Sequence, residues 1–503
     1  MSSEIKKKLS LVNLIIFIII IVLFCYFRLK PLYFQTVGYT YDQGRDFLKV
    51  AEIVTEKNPT FIGPTTGIAG LFHGAWWYYV LVIPFIIFGG LPIGFYYFNF
   101  FIQLLSFLVL GFFLLSNFEL IGSFIILLLV ATSPYFIFTS IFVGNNIMVL
   151  PVLLLFLITN YYLLENKTDK RAILHLFTIG LLLGLITEFE LAFGLFLIPS
   201  YIVLIFLIGK LRGIFSSSKH IGYFALGLLI PFVPRIFFEV KNNFQQTQIL
   251  IGSFTHGNAQ NPNSFAGAYQ DRIGLFFGYF RSLFAYEPVL ILSMLFIIIG
   301  LISLAQNKTS KVSGAAIFFF SLLGFLFLFS GLNKDSFFWG NYYEGIQYLY
   351  LIILAELFSS QIKKPILRIL SLFIFIIFLI LSLSSFVKDL SKKPDNQGNL
   401  KNQTEIVNYI QSKQSKDEKY CVKVYTPPAI PYTYDYLFLY SKLSKQFMLP
   451  EKDWIKSKCW LIIENDDFKE RQQKWIKDNL PRKVNLLQEK SFNDTVVRYY
   501  ESL

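Results

Sequence analysis

Long stretches without a single charged residue limit this chain more than any other feature. Residues 11–27, 314–329 and 369–387 contain none. A bilayer's hydrocarbon core of roughly 30 Å takes about 20 helical residues, and apolar runs approaching that length seldom sit inside soluble domains. Lipid offers backbone groups no hydrogen-bond partners, so such runs must be helices rather than open strands. Composition closes the soluble alternative. The 503 residues are 54% hydrophobic, 57 of them Phe, above the usual apolar share of about 45–50% in soluble domains.

The net charge of +13, from 45 Lys+Arg against 32 Asp+Glu, could suggest a nucleic-acid partner. Its distribution argues against one. The excess gathers in short clusters between apolar runs: Lys6 to Lys8; Lys167, Lys170 and Arg171; Lys210, Arg212 and Lys219; Lys308 and Lys311; Lys363, Lys364 and Arg368. That is the pattern of cytoplasmic loops under the positive-inside rule. The basic flank and the missing small-residue cleavage site make the first run a retained span rather than a cleaved signal.

If each cluster is cytoplasmic, the crossings between any two must be even. The first interval breaks parity, with five apolar runs at residues 10–27, 75–91, 94–115, 119–138 and 146–164. Residues 75–88 are the run to remove. Fourteen helical residues reach only about 21 Å, Pro84 weakens the helix, and Gly89-Gly90 ends it. This run is expected to lie in the outer leaflet as part of one long outer loop.

The expected fold class is therefore an all-α polytopic membrane protein, with about 11 transmembrane helices plus a juxtamembrane helix. The N-terminus is cytoplasmic, in a multi-pass protein of the plasma membrane. The membrane domain covers residues 1–387, with its first outer loop at 28–93, and residues 388–503 form a small extracytoplasmic α/β domain. In that domain residues 403–412 and 467–479 read as helices, and 420–425, 459–463 and 495–500 as strands. Cys421 and Cys459 lie there and could pair; Cys25 lies in the first span.

Four segments share the expected outer face: residues 28–93, the turn holding Glu188 and Glu190, residues 239–287, and residues 331–344. The chain has no phosphate-binding G-x-x-x-x-G-K-[ST] loop, no H-E-x-x-H and no C-x-x-C. Neither ATP-driven chemistry nor a dedicated metal cage is expected, and a divalent-metal requirement stays open. No cofactor is expected to be tightly bound.

The first outer loop is the richest segment. Tyr41-Asp42-Gln43-Gly44-Arg45-Asp46 precedes apolar residues at Phe47, Val50, Ala51 and Val54, the spacing of an amphipathic helix on a membrane surface. Asp42, just before this pattern, is either a helix N-cap or a functional carboxylate. A second patch runs from Gly63 to Gly67 and on through Leu71-Phe72-His73-Gly74-Ala75-Trp76-Trp77-Tyr78-Tyr79. An interfacial aromatic belt accounts for its rings, but not for His73 or the glycines.

Together these two segments resemble the first outer loop of the GT-C glycosyltransferases, in their protein O-mannosyltransferase, aminoarabinose transferase and Rgt-like branches. There an acidic residue opens a juxtamembrane helix, and an H/K-P-P-L-x-Y-Y or H-G-P-L-Y-Y segment follows. Ala131-Thr132-Ser133-Pro134-Tyr135 is similar to the family's A-T-S-P turn. Residues 234–244, from Pro234 to Phe244, are similar to the P-x-x-x-F-E-L-R-H-x-F segment of the Rgt-like branch. The resemblance spans roughly residues 10–360. The chain departs from it at Gly74-Ala75, where relatives carry two prolines, at Gln43, where many carry Glu, and at Lys241-Asn242, where the motif has Arg-His.

The resemblance implies transfer of a sugar from a polyprenyl-phosphate donor to a protein, glycan or lipid acceptor at the outer face. Asp42 would be the base, giving inversion. Asp46, His73 and Glu188 would assist it, and Lys241, Arg281 and Arg45 would contact the phosphate. Tyr78, Glu190, Glu239 and Glu344 complete the candidate substrate-binding set, and the remaining partner is membrane lipid. Two other functions fit the topology: a transporter or lipid flippase without covalent chemistry, and a non-catalytic scaffold for the C-terminal domain. Arg235 beside Glu239 reads as an ordinary i, i+4 helix pair.

Overall fold

The computed structural model describes residues 11–165, 171–255, 264–306, 313–331, 338–361, 364–392, 400–427 and 430–503. Lys6 to Lys8, Lys167, Lys170, Lys308, Lys311 and Lys363 lie outside them, as do parts of the expected outer segments 239–287 and 331–344.

Among the described residues, six helices are long and apolar enough to cross a membrane: Leu11–Tyr33, Pro92–Asn117, Asn146–Glu165, Ala172–Phe189, Ser218–Lys241 and Pro365–Leu390. Leu120–Thr132 and Pro134–Ile141 together pass the same test, but they bend by 54°. Four shorter apolar helices, Leu191–Leu207, Glu287–Ile302, Gly314–Ser330 and Gln347–Ser360, complete the bundle. The expected total of about 11 requires all four of these to cross. Trp76–Ile87, the run removed on parity, has 12 residues, about 18 Å of helix.

The structure corrects two boundaries of the sequence reading. The run at residues 119–138 is broken at Ser133-Pro134. Proline has no N–H and forces its predecessor out of the helical region, and Ser133 accordingly has ψ 129°. The first span runs on to Tyr33, so Arg28 opens no loop and is fully buried. These two findings are linked. Pro134 leaves the Val130 carbonyl without its helical donor, and the bend frees that of Ala131. Arg28 donates to both at 2.9 Å, through Nη2 and Nη1, and its Nε donates to Ser140 Oγ at 2.9 Å. A break inside a membrane bundle persists only where something re-satisfies the freed carbonyls, and here one guanidinium does so.

Close helix packing sets one end of the bundle. A Cβ at Gly180 would meet Phe224 O at 2.2 Å, and one at Gly227 would meet Phe177 O at 2.2 Å. Ala172–Phe189 and Ser218–Leu229 therefore touch backbone to backbone, as small residues allow in membranes. That contact carries the following segment, Pro231 to Arg235, alongside Glu188.

In the C-terminal region four strands, β3 (Val422–Tyr425), β4 (Lys458–Ile463), β5 (Val484–Phe492) and β6 (Thr495–Ser502), form a sheet in the order β3-β4-β6-β5. The β3–β4 pair is parallel and the others antiparallel. Trp460 and Ile462 face a core continuous with the membrane bundle, while Cys459, Leu461 and Ile463 face a smaller cluster. That alternation buries both faces of β4. Cys421 and Cys459 form a disulfide. The helices and strands read from the sequence are present, but it did not reveal β5 or the helix Tyr432–Lys445. That helix packs directly on Tyr41–Thr55, and Gly44 is the contact point. A Cβ there would meet the Thr433 nitrogen at 2.5 Å, and Tyr436 Oη donates to Gly90 O at 2.6 Å.

Candidate active site

The surface helix Tyr41–Thr55 begins at Thr40, whose extended backbone makes it the N-cap. Gln43 reaches back, its Oε1 accepting the Thr40 N–H at 2.8 Å, as the third residue of a capping box does. Asp42 is therefore not the N-cap, and that explanation of its acidity falls away. It lies in the first turn with 48% of its side chain exposed.

Arg45 is held between two carboxylates. Its Nη1 lies 2.8 Å from Asp42 Oδ1, and its Nε and Nη2 each lie 2.9 Å from Asp46 Oδ1. The i, i+3 spacing from Asp42 puts both groups on one helix face. Asp46 is buried and also accepts Trp77 Nε1–H at 2.7 Å through Oδ2. Burial pushes its carboxyl up to about 6, against the opposing pull of Arg45 and Trp77. Tyr78, also buried, lies against the same Arg45.

A two-stranded ribbon of β1 (Ile62–Thr65) and β2 (Phe72–Gly74) carries His73 beside this cluster. The Leu191 N–H donates to His73 Nδ1 at 3.4 Å, which leaves Nε2 as the protonated nitrogen of a neutral ring. Burial, Arg235 and Arg45 lower its pKa to about 3. At neutral pH His73 is thus a hydrogen-bond donor and not a cation. Thr65 faces Phe72 across the ribbon, and Arg45 Nη1 donates to Thr65 Oγ1 at 3.4 Å.

Glu188 is fully buried, and its partner is Arg235, with Nε 2.6 Å from Oε1. This corrects the expected Arg235–Glu239 helix pair. Glu239 instead accepts the N–H groups of Gln246 and Thr247, both at 3.1 Å, and so caps the helix Gln245–Thr255. Its burial reflects that role. Glu190, which is buried, and Glu344, which is half-buried, interact electrostatically away from this cluster, and Asn146 Nδ2 donates to Glu344 Oε2 at 3.0 Å.

Lys241 ends its helix exposed. Arg281 has 64% of its side chain exposed and pairs with Glu287 at 3.7 Å. Among the described residues, neither joins Arg45 or His73 in an ion pair or hydrogen bond. The structure thus gathers Asp42, Arg45, Asp46, His73 and Tyr78, sets Glu188 across the ribbon from them, and leaves Lys241 and Arg281 at the periphery. Sequence reasoning missed Arg235 and Gln246 as members of the group. The charge of Arg235 inside an apolar stretch was the one signal available for it, and Gln246, within the polar run 241–248, carried none. Among the described residues, no group of three or more His, Cys, Asp or Glu side chains is arranged to hold a metal ion.

No protein-family model matches the chain, and no curated protein matches it. Solved structures do. The crystal structure of ArnT from Cupriavidus metallidurans bound to undecaprenyl phosphate superposes with a TM-score of 0.61 at 11% identity, covering 97% of each chain. An oligosaccharyltransferase from Archaeoglobus fulgidus, in complex with zinc and sulfate, superposes with a TM-score of 0.51 at 13% identity. That match covers 89% of this chain and 68% of the other. At these identities the likeness is one of fold. The chain is an integral membrane protein that shares the fold of these two structures, a helical bundle followed by a small C-terminal sheet region.

Proposed function

We propose that this protein is an inverting glycosyltransferase that moves a hexose or pentose from a polyprenyl-phosphate donor to an acceptor at the outer face of the membrane. The observation that carries this reading is the Asp42–Arg45–Asp46 clamp, a half-exposed carboxylate held at 2.8 Å by an arginine that a buried carboxylate fixes from behind. It sits on the surface helix of a fold shared with membrane glycosyltransferases. The lipid carried by ArnT is the polyprenyl phosphate such a donor would leave behind.

In the proposed reaction Asp42 takes the proton of an acceptor hydroxyl as that oxygen attacks the anomeric carbon. The bond from that carbon to the phosphate oxygen breaks on the opposite face, and the polyprenyl phosphate departs with the electron pair. A departing phosphate needs cationic or N–H stabilisation. Arg45 is the cation beside the base. Lys241 and Arg281 are proposed to meet the lipid phosphate from the exposed side, and His73 donates its Nε2–H. Asp46 and Tyr78 position Arg45, while Glu190 and Glu344 are proposed to contact the substrate away from this cluster, and Glu239 holds its helix.

The Cys421–Cys459 disulfide supports an extracytoplasmic location for residues 388–503, since such bonds persist in oxidising compartments. The membrane domain then spans residues 1–387, with the N-terminus in the cytoplasm. The acceptor is a protein, a glycan or a lipid.

Asp42→Asn tests the assignment. Asn keeps an oxygen for Arg45 and cannot take the proton, so transfer from polyprenyl-phosphate sugars by purified protein should fall by about 100- to 10,000-fold with unfolding unchanged. Undiminished transfer removes Asp42 as the base. Movement of intact lipid by the wild type, without covalent product, would replace the enzyme with a flippase.

A further inference from the structure

The ion pair between Glu188 and Arg235 is only half used. Arg235 Nε donates to Glu188 Oε1, and its Nη1 donates to Phe72 O at 3.0 Å and to Gln246 Oε1 at 3.2 Å. Arg235 Nη2, Glu188 Oε2 and Gln246 Nε2 are buried without a partner. Glu188 is 0% and Gln246 3% exposed. The Gln246 amide cannot be turned round, because its Oε1 also accepts the Phe72 N–H at 2.9 Å. Two unused donors and one unused acceptor therefore remain on three packed side chains. Leaving buried polar groups unpaired is costly.

The chemistry of those three atoms selects the ligand. Arg235 and Glu188 cancel in charge, and the neighbouring His73 is neutral. An anion would meet Nη2 favourably but face the Glu188 oxygen, and a cation would meet the reverse. A hydroxyl both donates and accepts. One hydroxyl can accept from Nη2 while donating to Oε2, and a second can accept from Gln246 Nε2. Adjacent hydroxyls on a ring match that set.

The location fits the reaction proposed above. Arg235 and Gln246 are anchored on the Phe72 backbone, and Arg45 reaches Thr65, the cross-strand partner of Phe72. Paired residues on neighbouring strands lie about 5 Å apart at Cα, so the two arginines flank the width of one ribbon. Gly63 and Gly74 keep that ribbon thin. A Cβ at Gly63 would meet Gly74 O at 2.1 Å. We propose that Glu188, Arg235 and Gln246 form a subsite that reads the hydroxyls of a neutral sugar on the lipid-linked donor, an assignment that rests on the transferase reading.

Two isosteric substitutions test it in the full-length protein in lipid nanodiscs. Glu188→Gln keeps an oxygen for Arg235 but turns the unused acceptor into a donor. Gln246→Glu keeps the oxygen for Phe72 and Arg235 but removes the unused donor. Binding is measured for farnesyl phosphomannose, phosphoglucose and phosphogalactose, and for farnesyl phosphate without sugar, alongside thermal unfolding. The sugar lipid that the wild type binds best should lose about 10- to 100-fold in affinity in each variant, while farnesyl phosphate binds as before. Equal loss for both lipid types would make this a phosphate contact and overturn the proposal. Unchanged sugar-lipid binding would assign the three atoms to ordered water and overturn it equally. A wild type that binds none of the four lipids would sink the transferase reading itself, and this subsite with it.

Discussion

Replacing Gly74 with alanine should break an ion pair that Gly74 does not belong to. A Cβ at this position would lie 2.0 Å from Glu188 Oε2 and 2.6 Å from both Cβ and Cδ of Glu188. Glu188 has little room to retreat, being fully buried and held by Arg235 at 2.6 Å. The ribbon cannot move the other way either, since Gly63 already lies against Gly74. Overpacking of this kind costs about 1–3 kcal/mol, and separating a buried ion pair costs about 3–5 kcal/mol. Gly74→Ala should therefore destabilise the protein by about 3 kcal/mol or more, provided Glu188 is what yields. A double-mutant cycle with Arg235→Met isolates that mechanism. In the Arg235→Met background the pair is already gone, so the alanine should cost at least about 1 kcal/mol less than in the wild type. The assay is unfolding of detergent-solubilised protein, with the four variants compared at one pH and ionic strength. Costs that add to within about 0.5 kcal/mol, or a Gly74→Ala protein as stable as wild type, would refute the coupling.

Asp46 makes a pH prediction of unusual sign. Its folded pKa of about 6 lies above the unfolded value of about 3.9, so between these the folded state holds the extra proton. Its contribution to stability is fully present below about pH 4 and is lost as pH rises through 6; Asp46→Asn should remove that slope from stability measured between pH 4 and 7. Transferase activity should show the opposite limb. Arg45 loses its buried ionised partner below about pH 6, so wild-type turnover should decline there, and a wild-type profile without that decline would detach Asp46 from the site. Gly44→Ala drives a Cβ to 2.5 Å from the Thr433 nitrogen and the Tyr432 carbonyl carbon. A cost of about 1–3 kcal/mol and faster proteolysis within Tyr432–Lys445 are expected, and resistance equal to wild type would contradict the contact.

What could be read from the sequence depended on how far apart the partners lie along the chain. Asp42, Arg45 and Asp46 fall within two helical turns, so their spacing alone puts them together, and the uncharged runs declare the membrane bundle directly. Arg235 and Glu188 are 47 positions apart, and only the backbone contact at Gly180 and Gly227 brings them side by side. With that contact invisible, the nearest acid in sequence, Glu239, was the natural but wrong partner. The helix Tyr432–Lys445 escaped notice for a different reason. Its Tyr-rich start favours strands as readily as helices, and what holds it helical is burial of Tyr434, Tyr436, Leu437 and Phe438. β5 carries exposed leucines at 486 and 487, which spoil the alternation that marks a strand.

Arg28 also dictates an order of assembly. The first span leaves the ribosome about a hundred residues before the carbonyls of Val130 and Ala131 that its guanidinium will meet. Until that later segment enters the bilayer, the arginine is a charge in a lipid-facing helix, a burden below the roughly 2.5–3.5 kcal/mol of a helix centre because Arg28 lies in the last third of the span Leu11–Tyr33. The uncharged residues 11–27 are apolar enough to carry the helix in regardless. Its final depth and rotation nevertheless wait for the broken helix to arrive and receive the guanidinium. Nascent chains that end before Ile141 would display an unclaimed arginine to the membrane's quality-control proteases, while slightly longer ones would conceal it.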